Sequence, residues 1–215
     1  GTTVSENNSD NTINQSRENE NAADVNADNI SEYNPGFDLK AGTVTLNNGI
    51  EMPILGIGTF NLTPEQAEES VYNALTDGYR LIDTANAYMN ERAVGRGIKK
   101  SGVPREEIFL TTKLWISEYD DVEKAIDETL ERLDVDYIDL LLLHQPYGSY
   151  VNAYKALENA VNEGKVRSIG LSNFYEKKFD EIMNTATIPP AVLQNELHPY
   201  YQEKERKEYM TKYGT

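Results

Sequence analysis

The sequence predicts an α/β fold of the TIM type, a (β/α)8 barrel that is here incomplete, with about six β/α units after an N-terminal β-hairpin. From Ile54 onward, short apolar runs alternate with longer helical patterns, which is typical of a parallel sheet with right-handed crossovers. Each unit takes roughly 25–30 residues, which favours a barrel over an open sheet. Reactive side chains follow the predicted strands, and the catalytic groups of such barrels lie at those strand ends.

Residues 1–40 are predicted to be a disordered polar tail, and residues 41–215 the incomplete barrel. The first 34 residues contain nine Asn and almost no large apolar side chains. Such a segment cannot bury enough surface to offset the entropy lost on ordering. We interpret it as a flexible leader, with a tether between a membrane anchor and the domain as the alternative.

Charge and composition exclude several classes of function. The net charge of −16 argues against nucleic-acid binding, which requires basic patches that replace the counterions of phosphate. Cysteine is absent and only two histidines occur, so no metal site is expected. No apolar run approaches the roughly 20 residues of a membrane span, so we expect no membrane insertion of the domain.

The first elements have clear local signals. Thr43–Leu46 and Ile50–Met52 flank the sequence Asn-Asn-Gly, which predicts a hairpin. Leu55–Gly58 is predicted to be the first barrel strand. Thr63 then caps a helix that has Pro64 in its first turn, and Gln66 completes a capping box. Gly78 ends this helix.

Five more units follow the same pattern. Their strands are predicted at Arg80–Asp83, Ile108–Thr112, Tyr137–Leu143, Val166–Leu171 and Ala191–Asn195. Their helices are predicted at Asn90–Lys100, Val122–Leu133, Val151–Asn162, Lys177–Met183 and Gln202–Lys212. Each helix places apolar residues on one face, and Gly164 and Gly214 follow two of them as stop signals.

Three strand ends deliver a set of four side chains that makes chemical sense together. Asp83 and Tyr88 follow the second strand, Lys113 the third and His144 the fourth. A tyrosine is a weak acid, and a nearby ammonium favours release of its proton. An aspartate fixes that ammonium, and a neutral histidine can orient a carbonyl oxygen. The set predicts proton donation to a carbonyl group.

Six motifs in this order resemble the aldo-keto reductase family, over about four-fifths of the chain from Thr43. They are Gly56-Ile57-Gly58-Thr59-Phe60, Leu81 to Glu91, Thr112-Lys113-Leu114-Trp115, Leu142-Leu143-His144-Gln145-Pro146, Gly170-Leu171-Ser172-Asn173-Phe174 and Gln194-Asn195-Glu196-Leu197-His198-Pro199. The resemblance implies an oxidoreductase that reduces aldehydes or ketones to alcohols with hydride from NADPH, with NADH as the alternative. Its other implied partner is a small carbonyl or alcohol substrate.

The resemblance also implies roles for individual residues. Tyr88 is the general acid, Lys113 and Asp83 tune it, and His144 orients the carbonyl. The implied cofactor-binding residues are Gly58, Thr59, Phe60, Asp83, Ser172, Asn173 and Gln194. The implied substrate-pocket residues are Phe60, Trp115, His144 and Gln145. Two positions depart from the family pattern, because Gln145 and Phe60 each stand where a Trp is common, and Gln145 makes the pocket more polar or more open.

The pattern stops after six of eight units, which predicts a chain truncated in its last quarter. Family resemblance indicates a cytoplasmic protein, whereas the polar tail would suit an exported and membrane-tethered one. The chain is expected to be a monomer, or an oligomer that completes the open barrel. The alternatives to an active reductase are a catalytically impaired truncated member of the family and a cofactor-sensing binding module.

Overall fold

The structure is a computed structural model that describes residues 37–38, 40, 42–211 and 213–215. Its main sheet has six strands, all parallel and in the order of the chain. They are β4 Gly56–Gly58, β5 Leu81–Asp83, β6 Phe109–Leu114, β7 Ile138–Leu143, β8 Val166–Ser172 and β9 Val192–Gln194. The sheet curls into part of a (β/α)8 barrel, as the alternation of elements predicted.

A helix follows each strand of this sheet. The helices are α1 Pro64–Thr76, α2 Glu91–Ser101, α3 Val122–Leu133, α4 Tyr150–Asn162, α5 Glu176–Met183 and α6 Lys204–Thr211. The observed bounds agree with the predicted ones within two residues, apart from the predicted end of α6 at Lys212, which lies outside the described residues. The capping box of α1 is confirmed, since Thr63 Oγ1 accepts from Gln66 N and Gln66 Oε1 from Thr63 N.

An antiparallel sheet precedes the barrel and consists of β1 Phe37–Asp38, β2 Thr43–Thr45 and β3 Glu51–Pro53. The predicted hairpin between β2 and β3 is confirmed, with Gly49 at φ 83° in its turn. Strand β1 was not predicted and lies within the segment assigned to the polar tail, so order begins before the predicted boundary. Residues 1–36 lie outside the described residues, and the disordered tail remains a prediction.

This hairpin lies at the N-terminal end of the barrel strands. Buried Leu46 packs with Phe109, the first residue of β6, and with Leu140 of β7. The side-chain amide of Asn47 donates to Pro190 O at 2.9 Å, just before β9. The hairpin therefore occupies the end of the barrel interior opposite to the end at which the reactive residues were predicted.

The larger apolar clusters lie between the sheet and its helices. One cluster joins α1 and α2 to β5 and β6 and includes Val71, Val94 and Leu110. The other joins α3, α4 and α5 to the later strands. Because the helices cover the outer face, the side chains that alternate with these apolar ones point into the barrel. Within the described residues, no helix has the length and apolar character needed to cross a bilayer.

Candidate active site

The strand register places the predicted site residues on one face of the sheet. Gly58 pairs with Asp83, Lys113 pairs with Leu142, and Ser172 pairs with Gln194. Paired residues of neighbouring strands share a face, and this face is the one opposite to the helices. The side-chain amide of Gln194 donates to Asp83 Oδ2 at 2.6 Å, although β9 and β5 lie at separate places in the sheet order. That contact requires the sheet to curl.

A buried lysine forms the centre of this group. Lys113 is 1% exposed, and its ammonium forms an ion pair with Asp83. The same ammonium donates to Thr84 O at 2.9 Å and to the hydroxyl of Tyr88 at 3.4 Å. The carboxylate of Asp83 is thus shared between Lys113 and Gln194, one oxygen to each. The structure brings together the acid–base residues that the sequence predicted at two separate strand ends.

The position of Tyr88 depends on a short turn after β5. Residues Asn86–Tyr88 form one turn of 3-10 helix, which ends at Met89 with φ 58°. Buried Asn90 then donates through its side-chain amide to Thr59 O at 2.9 Å and Leu62 O at 3.2 Å. Because Asn90 ties the turn to the loop after β4, the phenol is held beside the interior of the barrel. The ring of Phe60 contacts that of Tyr88, with centroids 5.1 Å apart.

His144 follows β7 directly and lies between two aromatic rings. Its centroid is 5.9 Å from that of Tyr88 and 5.1 Å from that of Trp115, with both contacts edge-on. Burial lowers the pKa of His144 to about 4, and the nearby ammonium of Lys113 lowers it in the same direction. The imidazole is therefore neutral at neutral pH. Its Nδ1 is buried and has no hydrogen-bond partner in the described part of the chain.

The residues predicted to bind the nicotinamide lie at the ends of β8 and β9. Ser172 is 3% exposed, and its hydroxyl oxygen accepts from Asn173 Nδ2 at 3.2 Å. The same Nδ2 also donates to His144 O at 3.1 Å. Asn173 has φ 62°, and its backbone N–H donates to Gln194 O at 3.0 Å. Hydroxyl and amide groups are therefore clustered beside Asp83.

The residues at the end of β4 and in the loop after it differ in their exposure and in their contacts. A Cβ added at Gly58 would meet nothing within 4 Å, so the space above this residue is open. Phe60 is 65% exposed. Thr59, by contrast, is fully buried, and its hydroxyl donates to Thr84 Oγ1 at 2.8 Å. Its backbone N–H and C=O are bonded to Asp83 and Asn90, so its polar groups support the loop.

Two residues of this site were not predicted from the sequence. Asn90 lies inside the motif that was recognised, but its role in holding the loop after β4 depends on contacts 28 and 31 residues away. Tyr119 follows the 3-10 turn Ile116–Glu118, and its hydroxyl is bonded to both the N–H and the C=O of Gln145. As one of 14 tyrosines, Tyr119 carried no local signal of this contact.

Comparison with known proteins agrees with this geometry. Residues 54–215 match the model of the aldo/keto reductase family. A morphine 6-dehydrogenase of Pseudomonas putida is 44% identical over 77% of this chain and 57% of its own length. A glyoxal reductase of Bacillus subtilis is 46% identical over 78% of this chain and 62% of its own length. The chain therefore spans about three-fifths of the length of these curated relatives.

Solved structures show the same relationship. An aldo/keto reductase from Brucella melitensis superposes with a TM-score of 0.78 at 40% identity, over 80% of this chain and 68% of that one. A Bombyx mori aldo-keto reductase in complex with NADP superposes with a TM-score of 0.76 at 33% identity, over 80% of this chain and 63% of that one. With its sequence, its fold and the arrangement of its barrel end all in agreement, the chain belongs to the aldo/keto reductase family.

Proposed function

We propose that this protein is an oxidoreductase that reduces aldehydes or ketones to alcohols with hydride from NADPH, or from NADH as the alternative. One observation carries the proposal: the buried ammonium of Lys113 contacts both the carboxylate of Asp83 and the hydroxyl of Tyr88. A buried lysine next to a phenol is an arrangement that supports proton transfer from the phenol. Family membership supports the same chemistry.

In the proposed reaction, Tyr88 donates its hydroxyl proton to the oxygen of the substrate carbonyl. Lys113 stabilises the phenolate that forms, because its ammonium lies 3.4 Å from the phenolic oxygen. Asp83 and the backbone carbonyl of Thr84 hold that ammonium in place. Since Lys113 is 1% exposed, little water screens its charge.

His144 has a separate part in this mechanism. Its neutral imidazole carries one N–H, and Nδ1 is buried with no acceptor among the described residues. We assign the proton to Nε2, where the N–H can meet a ligand instead of remaining unsatisfied. From that position it donates a hydrogen bond to the same carbonyl oxygen and orients it towards Tyr88. Two donors then stabilise the negative charge that develops on this oxygen.

The residues beside Asp83 fit a nicotinamide. Its carboxamide needs one donor and one acceptor, and the hydroxyl of Ser172 can supply the donor. Gln194 uses its Nε2 on Asp83, which leaves its Oε1 as an acceptor. The open space above Gly58 provides room for the bound ring beside Phe60. When bound, the reduced nicotinamide would supply the hydride that the carbonyl carbon receives.

The substrate pocket is proposed to be formed by Phe60, Trp115, His144 and Gln145. The rings of Phe60, His144 and Trp115 form a continuous series of contacts with the ring of Tyr88. One relative is named a glyoxal reductase and another a morphine 6-dehydrogenase, so relatives differ in substrate size. We propose small aldehydes as the first class to test, because Gln145 makes the pocket more polar than the Trp it replaces.

The test is oxidation of NADPH by the purified protein with a panel of small aldehydes that begins with glyoxal. Tyr88→Phe should lower kcat about 10²- to 10⁴-fold, the usual contribution of a positioned proton donor. Tyr79→Phe is the matched control, because Tyr79 is 46% exposed and lies before β5, at the other end of the barrel. Equal rates for wild type and Tyr88→Phe would contradict the proposal. NADPH binding without turnover would favour a cofactor-binding module.

A further inference from the structure

The two residues that follow β7, His144 and Gln145, have every backbone polar group bonded. His144 N donates to Leu114 O at 3.1 Å, and His144 O accepts from Asn173 Nδ2 at 3.1 Å. Gln145 N donates to Tyr119 Oη at 3.1 Å, and Tyr119 Oη donates to Gln145 O at 2.9 Å. Only the first of these bonds continues the strand pairing. Side chains supply the other three.

Tyr119 is suited to this contact for physical reasons. A tyrosine hydroxyl has one proton to donate and lone pairs to accept, so it can satisfy both polar groups of Gln145 at once. Its ring is rigid and 3% exposed, packed in the cluster between the sheet and α3 and α4. The residue after Gln145 is Pro146, which has no N–H with which to continue the pairing. Without the hydroxyl, the N–H of Gln145 would lose its partner.

Within the part of the chain that the structure describes, the imidazole of His144 makes no hydrogen bond. Its Nδ1 has no partner within the described residues, whereas many functional histidines are oriented by an acceptor at this nitrogen. Edge contacts with Trp115 and Tyr88 limit the ring but do not fix it in one direction. The direction of the ring must therefore come largely from the backbone that carries it.

We propose that Tyr119 is a positioning residue for His144: its hydroxyl fixes the backbone of Gln145 and thereby aims the imidazole at the carbonyl oxygen beside Tyr88. This inference rests on the proposed function in so far as it concerns catalysis. The same contact links the loop after β6 to the loop after β7. Trp115 and Tyr119 flank one short turn. The turn that carries the pocket residue Trp115 therefore also carries the residue that positions His144.

Tyr119→Phe tests the proposal, because it removes the hydroxyl and keeps the buried ring. It leaves the N–H of Gln145 without its partner, whereas Gln145 O keeps the bond that it accepts from Tyr147 N at 3.0 Å. The matched control is Tyr154→Phe. Tyr154 is 1% exposed and its hydroxyl donates to Ile188 O at 2.9 Å, so the control loses a buried hydrogen bond of the same kind. Tyr154 lies in α4 and packs in the same apolar cluster as Tyr119, but its hydroxyl bonds the segment before β9 and not the residues after β7.

The readout is the imidazole NMR spectrum, which is simple because the protein has two histidines. In Tyr119→Phe, the His144 signals should shift and broaden, and the titration midpoint should rise above about 4 as water reaches the ring. Lys113 and Asp83 are the charged groups that face this ring, and neither variant changes them. Tyr154→Phe should lower the melting temperature and leave the His144 signals where they are. The signals of exposed His198 serve as the internal reference.

Kinetics supply a second readout. Misplacement of a catalytic group by about 1 Å can cost about 100-fold in rate, and we expect kcat to fall at least 10-fold in Tyr119→Phe with KM for NADPH nearly unchanged. A loss of kcat that is equal in Tyr119→Phe and Tyr154→Phe would overturn the proposal, as would identical His144 spectra in the two variants. The NMR comparison needs no turnover, so an inactive protein would contradict the proposed function and leave this test intact.

Hydrogen exchange in the wild type covers the case in which Tyr119→Phe does not fold. Gln145 lies outside every helix and strand, so its amide would ordinarily exchange quickly. The contact with Tyr119 predicts that it is protected at least 100-fold more than the amide of exposed Gly148, whose N–H has no hydrogen-bond partner in the described part of the chain. Exchange of both amides at the same rate would overturn the proposal.

Discussion

Replacing Asp83 by Asn would remove the negative charge that faces the buried ammonium of Lys113. The two side chains are not equally buried: that of Lys113 is 1% exposed, and that of Asp83 is 26% exposed. After the substitution, the ammonium would keep Thr84 O at 2.9 Å and the hydroxyl of Tyr88, neither of which carries a charge. A charged group would then be almost fully desolvated without a counterion.

The cost follows from this asymmetry. Removing one partner of a buried ion pair costs about 3–5 kcal/mol, and we expect about 3 kcal/mol for Asp83→Asn because the introduced amide oxygen still accepts from the ammonium. Lys113→Met removes the buried charge itself and leaves Asp83 to solvent and Gln194. It should cost about 1–2 kcal/mol, largely for the carbonyl of Thr84 that loses its donor. The double variant should be less destabilised than the sum of the two single changes.

Urea unfolding of the four proteins measures these differences. The exposed pair of Lys99 and Asp134, with N and O 3.1 Å apart, provides the control. Asp134→Asn makes the same chemical change, and its φ of 55° is one that Asn tolerates, so it should cost less than about 1 kcal/mol. If Asp83→Asn were no more destabilising than Asp134→Asn, or less so than Lys113→Met, Lys113 would not be the desolvated ammonium that the mechanism requires.

Two further predictions concern His144 and the barrel glycines. An unfolded histidine has a pKa near 6.5, whereas burial lowers the pKa of His144 to about 4. As the pH is lowered, the unfolded chain therefore binds the proton first, and the free energy of unfolding decreases from about pH 6.5 to about pH 4. His144→Gln should make the free energy of unfolding depend less on pH in that range. A pH dependence of this free energy equal to that of the wild type would contradict the prediction. Gly170→Ala would bring a Cβ to 2.4 Å from Val192 O and should lower the free energy of unfolding by at least about 2 kcal/mol. The Cβ of Gly58→Ala enters open space, so this variant should bind NADPH more weakly at nearly unchanged stability. Calorimetry with NADPH and thermal unfolding would measure both, and equal melting temperatures of the two glycine variants would refute the packing argument.

The fold could be predicted largely because its signals are local. The capping box of Thr63 and Gln66 lies within four residues, and the Asn-Asn-Gly turn fixes the hairpin. Strand β1 was missed because its residues, Phe37–Asp38, gain order only by pairing with β2 across a turn. A two-residue strand next to a polar segment has no periodicity of its own.

The candidate site was predicted only in part, because some of its contacts join residues that are far apart in the sequence. Alternation along each strand places Asp83, Lys113 and Gln194 on one face, and the sequence motifs mark these positions. The hydrogen bond from Gln194 to Asp83 joins residues 111 apart and depends on the curl of the whole sheet. The contact of Tyr119 with a backbone 26 residues away depends on two loops meeting. Neither contact has a signal in the local sequence.

The most direct test of the proposed mechanism follows the hydride itself. The protein would be incubated with a small aldehyde and NADPH deuterated at the transferable position of its nicotinamide, and the alcohol would be analysed by mass spectrometry and NMR. The proposed mechanism predicts deuterium on the carbinol carbon of the product, formed by wild type and Tyr79→Phe and at least about 100-fold more slowly by Tyr88→Phe. Alcohol without deuterium at that carbon, or labelled alcohol formed by Tyr88→Phe at the wild-type rate, would contradict it.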